Sequence, residues 1–166
     1  MTRLNNLVQQ FLVQKSIAVV GVSEKKETGA TFNYKKFKEA GYRVYPINPH
    51  LQTFQGSVCY PDLKSLPEKV DAVFVLANPG VTQKIVEECV RLGIKYVWMH
   101  CMMGVKPGAM KDQTSVSAEA IKLCQEHGIH VIPGSCPAQF LNPDFGHRMI
   151  RGVCGLMGNL KIRTPA

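Results

Sequence analysis

The sequence predicts an α/β fold, a single domain built on a doubly wound parallel sheet of about five strands. Three observations predict it. Short apolar runs at residues 16–22, 42–47, 71–76, 94–99 and 129–132 alternate with longer stretches of helical periodicity, the order that makes neighbouring strands parallel and puts helices on both faces. The helical stretches close on Gly41, Gly93 and Gly128, where a left-handed residue ends a helix at least cost. Each strand-like run also opens onto a polar, Gly/Pro-rich or thiol-bearing segment: Gly21–Ser23, Asn48–His50, Ala77–Pro79, His100–Gly104 and Gly134–Cys136. Ligands of such sheets bind outside the carboxyl ends of the strands, so these segments form the candidate rim.

Taken in order, residues 2–15 read as an amphipathic helix, with Leu4, Leu7, Val8, Phe11 and Leu12 at helical spacing. Ser16–Val22 is the first strand, and the loop Ser23–Thr28 carries Glu24, Lys25, Lys26 and Glu27. Thr28-Gly29 starts a helix through Ala40, with Phe32 and Phe37 inward and Lys35, Lys36 and Lys38 giving it a basic surface. Tyr42–Ile47 is the second strand, closed by Asn48-Pro49-His50. Residues 51–70 read as irregular, punctuated by Gly56 and Pro61, with a short helix near Ser65–Val70. Asp71–Leu76 is a buried strand, and Asn78-Pro79 has the N-cap and first-turn residues of a helix over Val81–Leu92. Ile94–Met99 is the fourth strand, Ser115–His127 a helix with Ala118, Ile121 and Cys124 in phase, and Ile129–Ile132 the fifth strand. Residues 138–166 form a C-terminal extension with a short helix or extended segment near Arg148–Leu160.

Bulk properties narrow the function. A net charge of +8, from 20 basic and 12 acidic residues in 166, biases the chain toward anionic partners. The basic residues are scattered, with no arginine-rich run or aromatic–basic motif, so a nucleotide or another phosphate-bearing small molecule is expected rather than nucleic acid. The six cysteines include no Cys-x-x-Cys pair and sit mostly in apolar runs, as reduced, buried cysteines do. With no signal-peptide pattern and no run long enough to span a bilayer, a reducing cytoplasm is the expected setting. His100, Cys101, Cys136 and His147 match no zinc spacing, and no metal is expected.

The stretch Ser16–Ala30 carries the chemistry. The first amides of a helix lack partners within it and point, with the positive end of its dipole, at whatever lies above the preceding strand. Gly21-Val22-Ser23 is therefore either a phosphate turn, with Lys25, Lys26 and Thr28 nearby, or a plain strand–helix connection, since a dinucleotide fingerprint asks for three closely spaced glycines. Asn48-Pro49 stands where a classical NAD site carries an acid, which argues against NAD; Asn48 could bond a ribose and His50 face a phosphate, or the pair simply ends the strand. Cys136 with His100 is conceivable as a nucleophile pair, though no carboxylate is spaced to orient it. No catalytic residue is assigned.

These residues resemble the CoA-binding domain family, the stand-alone relative of the N-terminal domain in the alpha subunit of succinyl-CoA synthetase and in NDP-forming acyl-CoA synthetases. The likeness runs from Ser16 to Cys136 and rests on four segments. They are Ile17-Ala18-Val19-Val20-Gly21-Val22-Ser23, Gly41-Tyr42-Arg43-Val44-Tyr45-Pro46-Ile47-Asn48-Pro49, Val70-Asp71-Ala72-Val73 and Gly93-Ile94-Lys95-Tyr96-Val97-Trp98-Met99, with Cys136 after the last strand. The resemblance implies a Rossmann-like domain that binds CoA or an acyl-CoA: phosphates at Gly21, Val22 and Ser23, adenosine toward Asn48 and Pro49, and the pantetheine arm past Ala77, Asn78 and Pro79 toward His100, Gly104 and Cys136. It implies a binding module more than an enzyme, with a protein partner or a second copy in view. The alternatives are an NAD(P)-binding or thiol-redox module, or a small thioester-acting enzyme using Cys136.

Overall fold

The computed structural model describes residues 3–104, 114–158 and 160–162. Thr2 of the opening-helix range, and Asn159 and residues 163–166 of the C-terminal extension, lie outside them. The main elements are α1 (Arg3–Leu12), β1 (Ser16–Val20), α2 (Gly29–Glu39), β2 (Arg43–Ile47), β3 (Thr53–Phe54), β4 (Ser57–Val58), β5 (Ala72–Val75), α3 (Pro79–Leu92), β6 (Tyr96–Met99), α4 (Ala118–Glu126), β7 (His130–Pro133) and α5 (Phe145–Leu156). Five strands form one parallel sheet in the order β2-β1-β5-β6-β7. The Rossmann-like α/β fold is therefore the one predicted, and the strand order reverses between β1 and β5, where the crevice of such a sheet lies.

Successive strand residues point to opposite faces, and both faces are buried. Ile17, Val19, Phe74, Trp98 and Ile132 meet α1 and α2 through Leu4, Val8, Phe11, Ala30, Tyr34 and Phe37. Ala18, Val20, Val73, Val75, Val97 and Met99 meet α3 and α4 through Ile85, Val86, Cys89, Ala120 and Cys124. Each such burial contributes ~1.5–3 kcal/mol, well above what a surface ion pair adds, so these two layers hold the strand ends in place. All six cysteines are buried and carry free thiols.

One polar clamp fixes the relative register of β1 and β5. The Asp71 carboxylate accepts from the amides of Lys15 (3.1 Å) and Ser16 (3.0 Å) and from Ser16 Oγ (2.9 Å), and Ser16 Oγ accepts the Asp71 amide (3.0 Å). Asp71 is thus an anchor just before the strand rather than its first residue.

Three expectations need correction. Residues 53–58 are a hairpin, with β3 and β4 paired antiparallel around Gln55 (φ 47) and Gly56 (φ 75). Strands of two residues are too short to show periodicity, although two left-handed residues in a row are the signature of a tight hairpin turn. No helix forms at Ser65–Val70. A short 3₁₀ turn at Leu63–Ser65, capped by Asp62, takes its place, because Pro67 forces Leu66 into an extended backbone (ψ 146). The C-terminal helix begins at Phe145, earlier than Arg148, because Asp144 caps it through the His147 amide (2.9 Å).

Candidate functional site

The carboxyl ends of β1 and β5 come so close that only glycine fits between them. A Cβ on Gly21 (φ +97) would lie 1.9 Å from the Leu76 carbonyl oxygen. The Gly21 amide donates to Ile47 O (3.2 Å) and the Leu76 amide to Val20 O (3.0 Å), so the three strand ends are tied together. A second close approach lies just beyond. A Cβ on Gly29, the first residue of α2, would stand 2.7 Å from Leu76 Cδ1 and 3.6 Å from His100 Nε2. The head of α2 therefore faces the ends of β5 and β6 across bare backbone, the geometry that lets helix amides approach an anion.

His100 is the chemically unusual group there. It is 6% exposed, it packs edge-on against Phe74 (5.9 Å between centroids), and its Nε2 has no hydrogen-bond partner among the described residues. Burial, reinforced by the neighbouring His147, pushes its pKa down to about 4, so the imidazole is neutral at physiological pH. A neutral imidazole can offer a hydrogen bond to a ligand without the desolvation cost of a buried cation.

The loop between Gly21 and α2 is closed by Thr31. Its Oγ1 accepts from the Ser23 amide (3.2 Å) and donates to Ser23 O (3.1 Å), while Thr28 Oγ1 caps the helix through the Thr31 amide (3.1 Å). Thr28 is thus the N-cap expected of it, and the Ser23 amide is already engaged. Val22 is buried, and Lys25 and Lys26 are exposed at the loop tip. One turn into α2, Asn33 Nδ2 donates to Gly29 O (2.7 Å) and lies 3.4 Å from Cys136 Sγ. Burial pushes the Cys136 thiol up, outweighing the Asn33 contact, so the sulfur is held protonated and not poised as a thiolate.

The other rim residues divide by role. Asn48 Nδ2 donates to Val22 O (2.8 Å) and its Oδ1 accepts the His50 amide (2.8 Å), so its side chain is spent on the turn, with Pro49 and His50 exposed. Asn78 caps α3 through the Val81 amide (3.0 Å), with Pro79 as first helical residue, and the Ala77 amide donates to Ser115 Oγ (3.0 Å). Gly104 (φ +93) closes a turn onto Cys101 O (3.2 Å) and accepts the Ser135 amide (3.1 Å). Beneath Cys136 runs a buried polar network. Trp98 Nε1 donates to Gly134 O (3.0 Å), Ser135 Oγ donates to Gln139 Oε1 (3.2 Å), and Gln139 Nε2 donates to Met102 O (3.0 Å). It holds Ser135 left-handed (φ 71).

The structure thus gathers Gly21, Ser23, Thr28, Gly29, His100 and Cys136 around the head of α2, and leaves Pro49, His50, Asn78 and Pro79 on the outer rim. Sequence reasoning missed Thr31, Asn33 and Leu76. The Thr-x-x-Thr and Gly-x-x-x-Asn spacings at the helix start were the available signals for the first two. It also missed the placement of His147, which stacks on Phe32 (5.3 Å, 10° between planes), is tied to Asp144 (2.8 Å), and lies near enough to His100 to act on its charge. Among the described residues no three His, Cys, Asp or Glu side chains cluster as metal ligands, and no helix is long and apolar enough to cross a membrane.

Comparison with known proteins gives a consistent picture. A family model described as a CoA binding domain matches residues 15–141. The ADP-forming acetate–CoA ligase I of Archaeoglobus fulgidus is 22% identical over 129 residues, which cover 78% of this chain and 18% of the ligase. The alpha subunit of the ADP-forming acetate–CoA ligase II of Pyrococcus furiosus is 24% identical over 131 residues, 78% of this chain and 28% of the subunit. The chain therefore spans less than a third of either relative. A hypothetical protein from Pyrococcus horikoshii OT3 superimposes with a TM-score of 0.70 at 28% identity, covering 84% of this chain and 92% of that one.

Proposed function

The chain belongs to the CoA binding domain family, and from that premise we propose that it binds CoA or an acyl-CoA in the crevice between β1, β5 and the head of α2. It acts there as a carrier, sensor or partner subunit more than as a complete enzyme. The observation that carries the reading is His100 Nε2, a buried polar atom with no partner among the described residues, facing the glycine that opens α2. Native proteins leave few such atoms unpaired, and a neutral imidazole at the head of α2 suits a polar group of the pantetheine arm.

In this reading the pyrophosphate lies over Gly21, Val22 and Ser23, against the first amides of α2. Lys25 and Lys26, on the exposed loop, meet the outer phosphates. The adenosine end runs toward Pro49 and His50, the Asn48 amide being already committed. The pantetheine arm passes Ala77–Pro79 toward His100. The net charge of +8 adds long-range attraction for such a polyanion.

Isothermal titration under reducing conditions with CoA, dephospho-CoA, NAD and NADP tests this. Micromolar CoA binding is expected, weakened by loss of the 3′-phosphate and again in a Lys25→Ala/Lys26→Ala double variant. Absence of CoA binding, or binding of a dinucleotide that CoA does not displace, overturns the proposal. CoA binding unchanged in the double variant removes the lysines from the phosphate site.

A further inference from the structure

The last helix, α5, has two apolar faces, and the protein covers one of them. Inward, Cys154 is fully buried, Ile150 is half-buried, and Arg151 lies 4.4 Å over the Phe140 ring. Outward, Phe145 (82% exposed), Met149 (58%), Val153 (44%) and Leu156 (91%) recur every three or four residues, and Met157 (60%) follows. An exposed apolar stripe this long on one helix face is of the kind that another surface covers. Given ~150–200 Å² for a large side chain, this stripe exposes on the order of 500–600 Å² of contiguous apolar surface, at the top of the range for a monomer. That is also most of the roughly 800 Å² that each partner contributes to a standard interface.

We propose that a second copy of this chain covers the stripe, forming a two-fold dimer in which the α5 helices pack antiparallel. The helix carries both a knob and a matching hole. Gly152 sits in its interior, where glycine costs ~1 kcal/mol relative to alanine, and a Cβ there would meet nothing within 4 Å among the described residues, so none of their contacts calls for it. Gly152 and Gly155 floor an open trough of about 560 Å³ walled by Pro143, Arg148, Leu156 and Leu160. Phe145 stands seven residues before Gly152, two helical turns or ~10.5 Å along the same face. A two-fold axis passing between Arg148 and Met149 seats each Phe145 ring in the other copy's trough and brings the two Met149 side chains together on the axis. Such an interface is self-complementary and closes at two copies.

Charge separates this occupant from others. Arg148 Nε donates to Pro143 O (3.0 Å), Arg151 donates to Gln139 O (3.4 Å), and His147 is paired with Asp144 (2.8 Å). Each arginine of α5 is turned to a carbonyl of its own chain, and the stripe Phe145, Met149, Val153 and Leu156 carries no charge of its own for an acidic partner to meet.

Sedimentation of the full chain, with and without Phe145→Glu or Gly152→Glu, tests the proposal. Neither position is packed among the described residues, so both variants are expected to stay folded with the wild-type circular dichroism spectrum. The wild type is expected to be a dimer and both variants monomers, with self-association weakened at least tenfold. A Met149→Cys variant is expected to form a disulfide-linked dimer with diamide as oxidant, against a wild-type control whose six cysteines are buried. A wild type that stays monomeric at tens of micromolar, or a dimer that survives both glutamates, overturns the proposal. So does α5-dependent capture by anionic vesicles in place of self-association. A Met149→Cys dimer that diamide fails to crosslink refutes the antiparallel register.

Discussion

His100 makes the stability of this protein depend on pH between neutrality and about pH 4. Its folded pKa is about 4 because burial and the nearby His147 disfavour the imidazolium, against about 6.5 for an unfolded histidine. Between these values the unfolded chain binds a proton that the folded chain refuses. Unfolding is therefore favoured progressively as pH falls from neutrality to about 4. At pH 5 the difference is worth about 2 kcal/mol relative to pH 7, which for a domain of this size is roughly 4–8 °C in melting temperature. The assay is reversible unfolding at both pH values for the wild type and for His100→Phe, whose ring keeps the edge contact on Phe74. His50, His127 and His130 are exposed and present in both chains, so their contribution cancels in the comparison. The variant is expected to lose most of the wild type's sensitivity between pH 7 and 5. Equal losses in both proteins would show that His100 protonates freely, and the argument for a neutral, ligand-facing imidazole would fall with it.

Two further substitutions test the frame around the site. Gly21→Ala places a methyl 1.9 Å from the Leu76 carbonyl in a backbone region alanine resists, so a loss of about 3 kcal/mol or more is expected in denaturant titration. A near-neutral result would mean that the ends of β1 and β5 are not held this close. Asp71→Ala strands the Ser16 hydroxyl and two amides at the start of the sheet, a loss of about 1–2 kcal/mol in chemical unfolding. Burial alone would raise the Asp71 pKa, but its hydrogen bonds from Ser16 and Lys15 outweigh that and hold it below the ordinary range. Its contribution is thus complete above the usual carboxylate pKa of about 3.9 and is lost as pH falls through the lower folded value. The gap between wild type and variant should close only in strong acid, and a gap closing near neutrality would contradict the clamp.

The sheet was legible in the sequence because its signals are local. Apolar runs, helical periodicity and terminal glycines follow from residue spacing, and both layers of the core formed largely where that spacing put them, the exceptions being Phe32, which stacks on His147 instead, and Ala118, which is exposed. The same holds for the caps at Thr28 and Asn78, each read from a residue and its immediate neighbours. The β3–β4 hairpin and the Pro67 break were local as well, but their segments are too short for periodicity to show. The candidate site was legible as a rim and not as a constellation. That Gly21 sits against Leu76, that Thr31 takes up the Ser23 amide, and that Asn33 reaches Cys136 from 103 residues away depend on how parallel crossovers return strands and helices to one end of the sheet. The state of His100 was equally out of reach, because a histidine's pKa is set by what surrounds it and not by what precedes it. The two faces of α5 divide in the same way. Its sequence shows apolar residues around more than half of its circumference, and only the packed structure shows which of them the chain itself covers. Local chemistry, carried in the order of residues, fixed the elements and their ends. Burial and proximity arise only when distant segments meet, and they decided which groups stand in the crevice and in what protonation state.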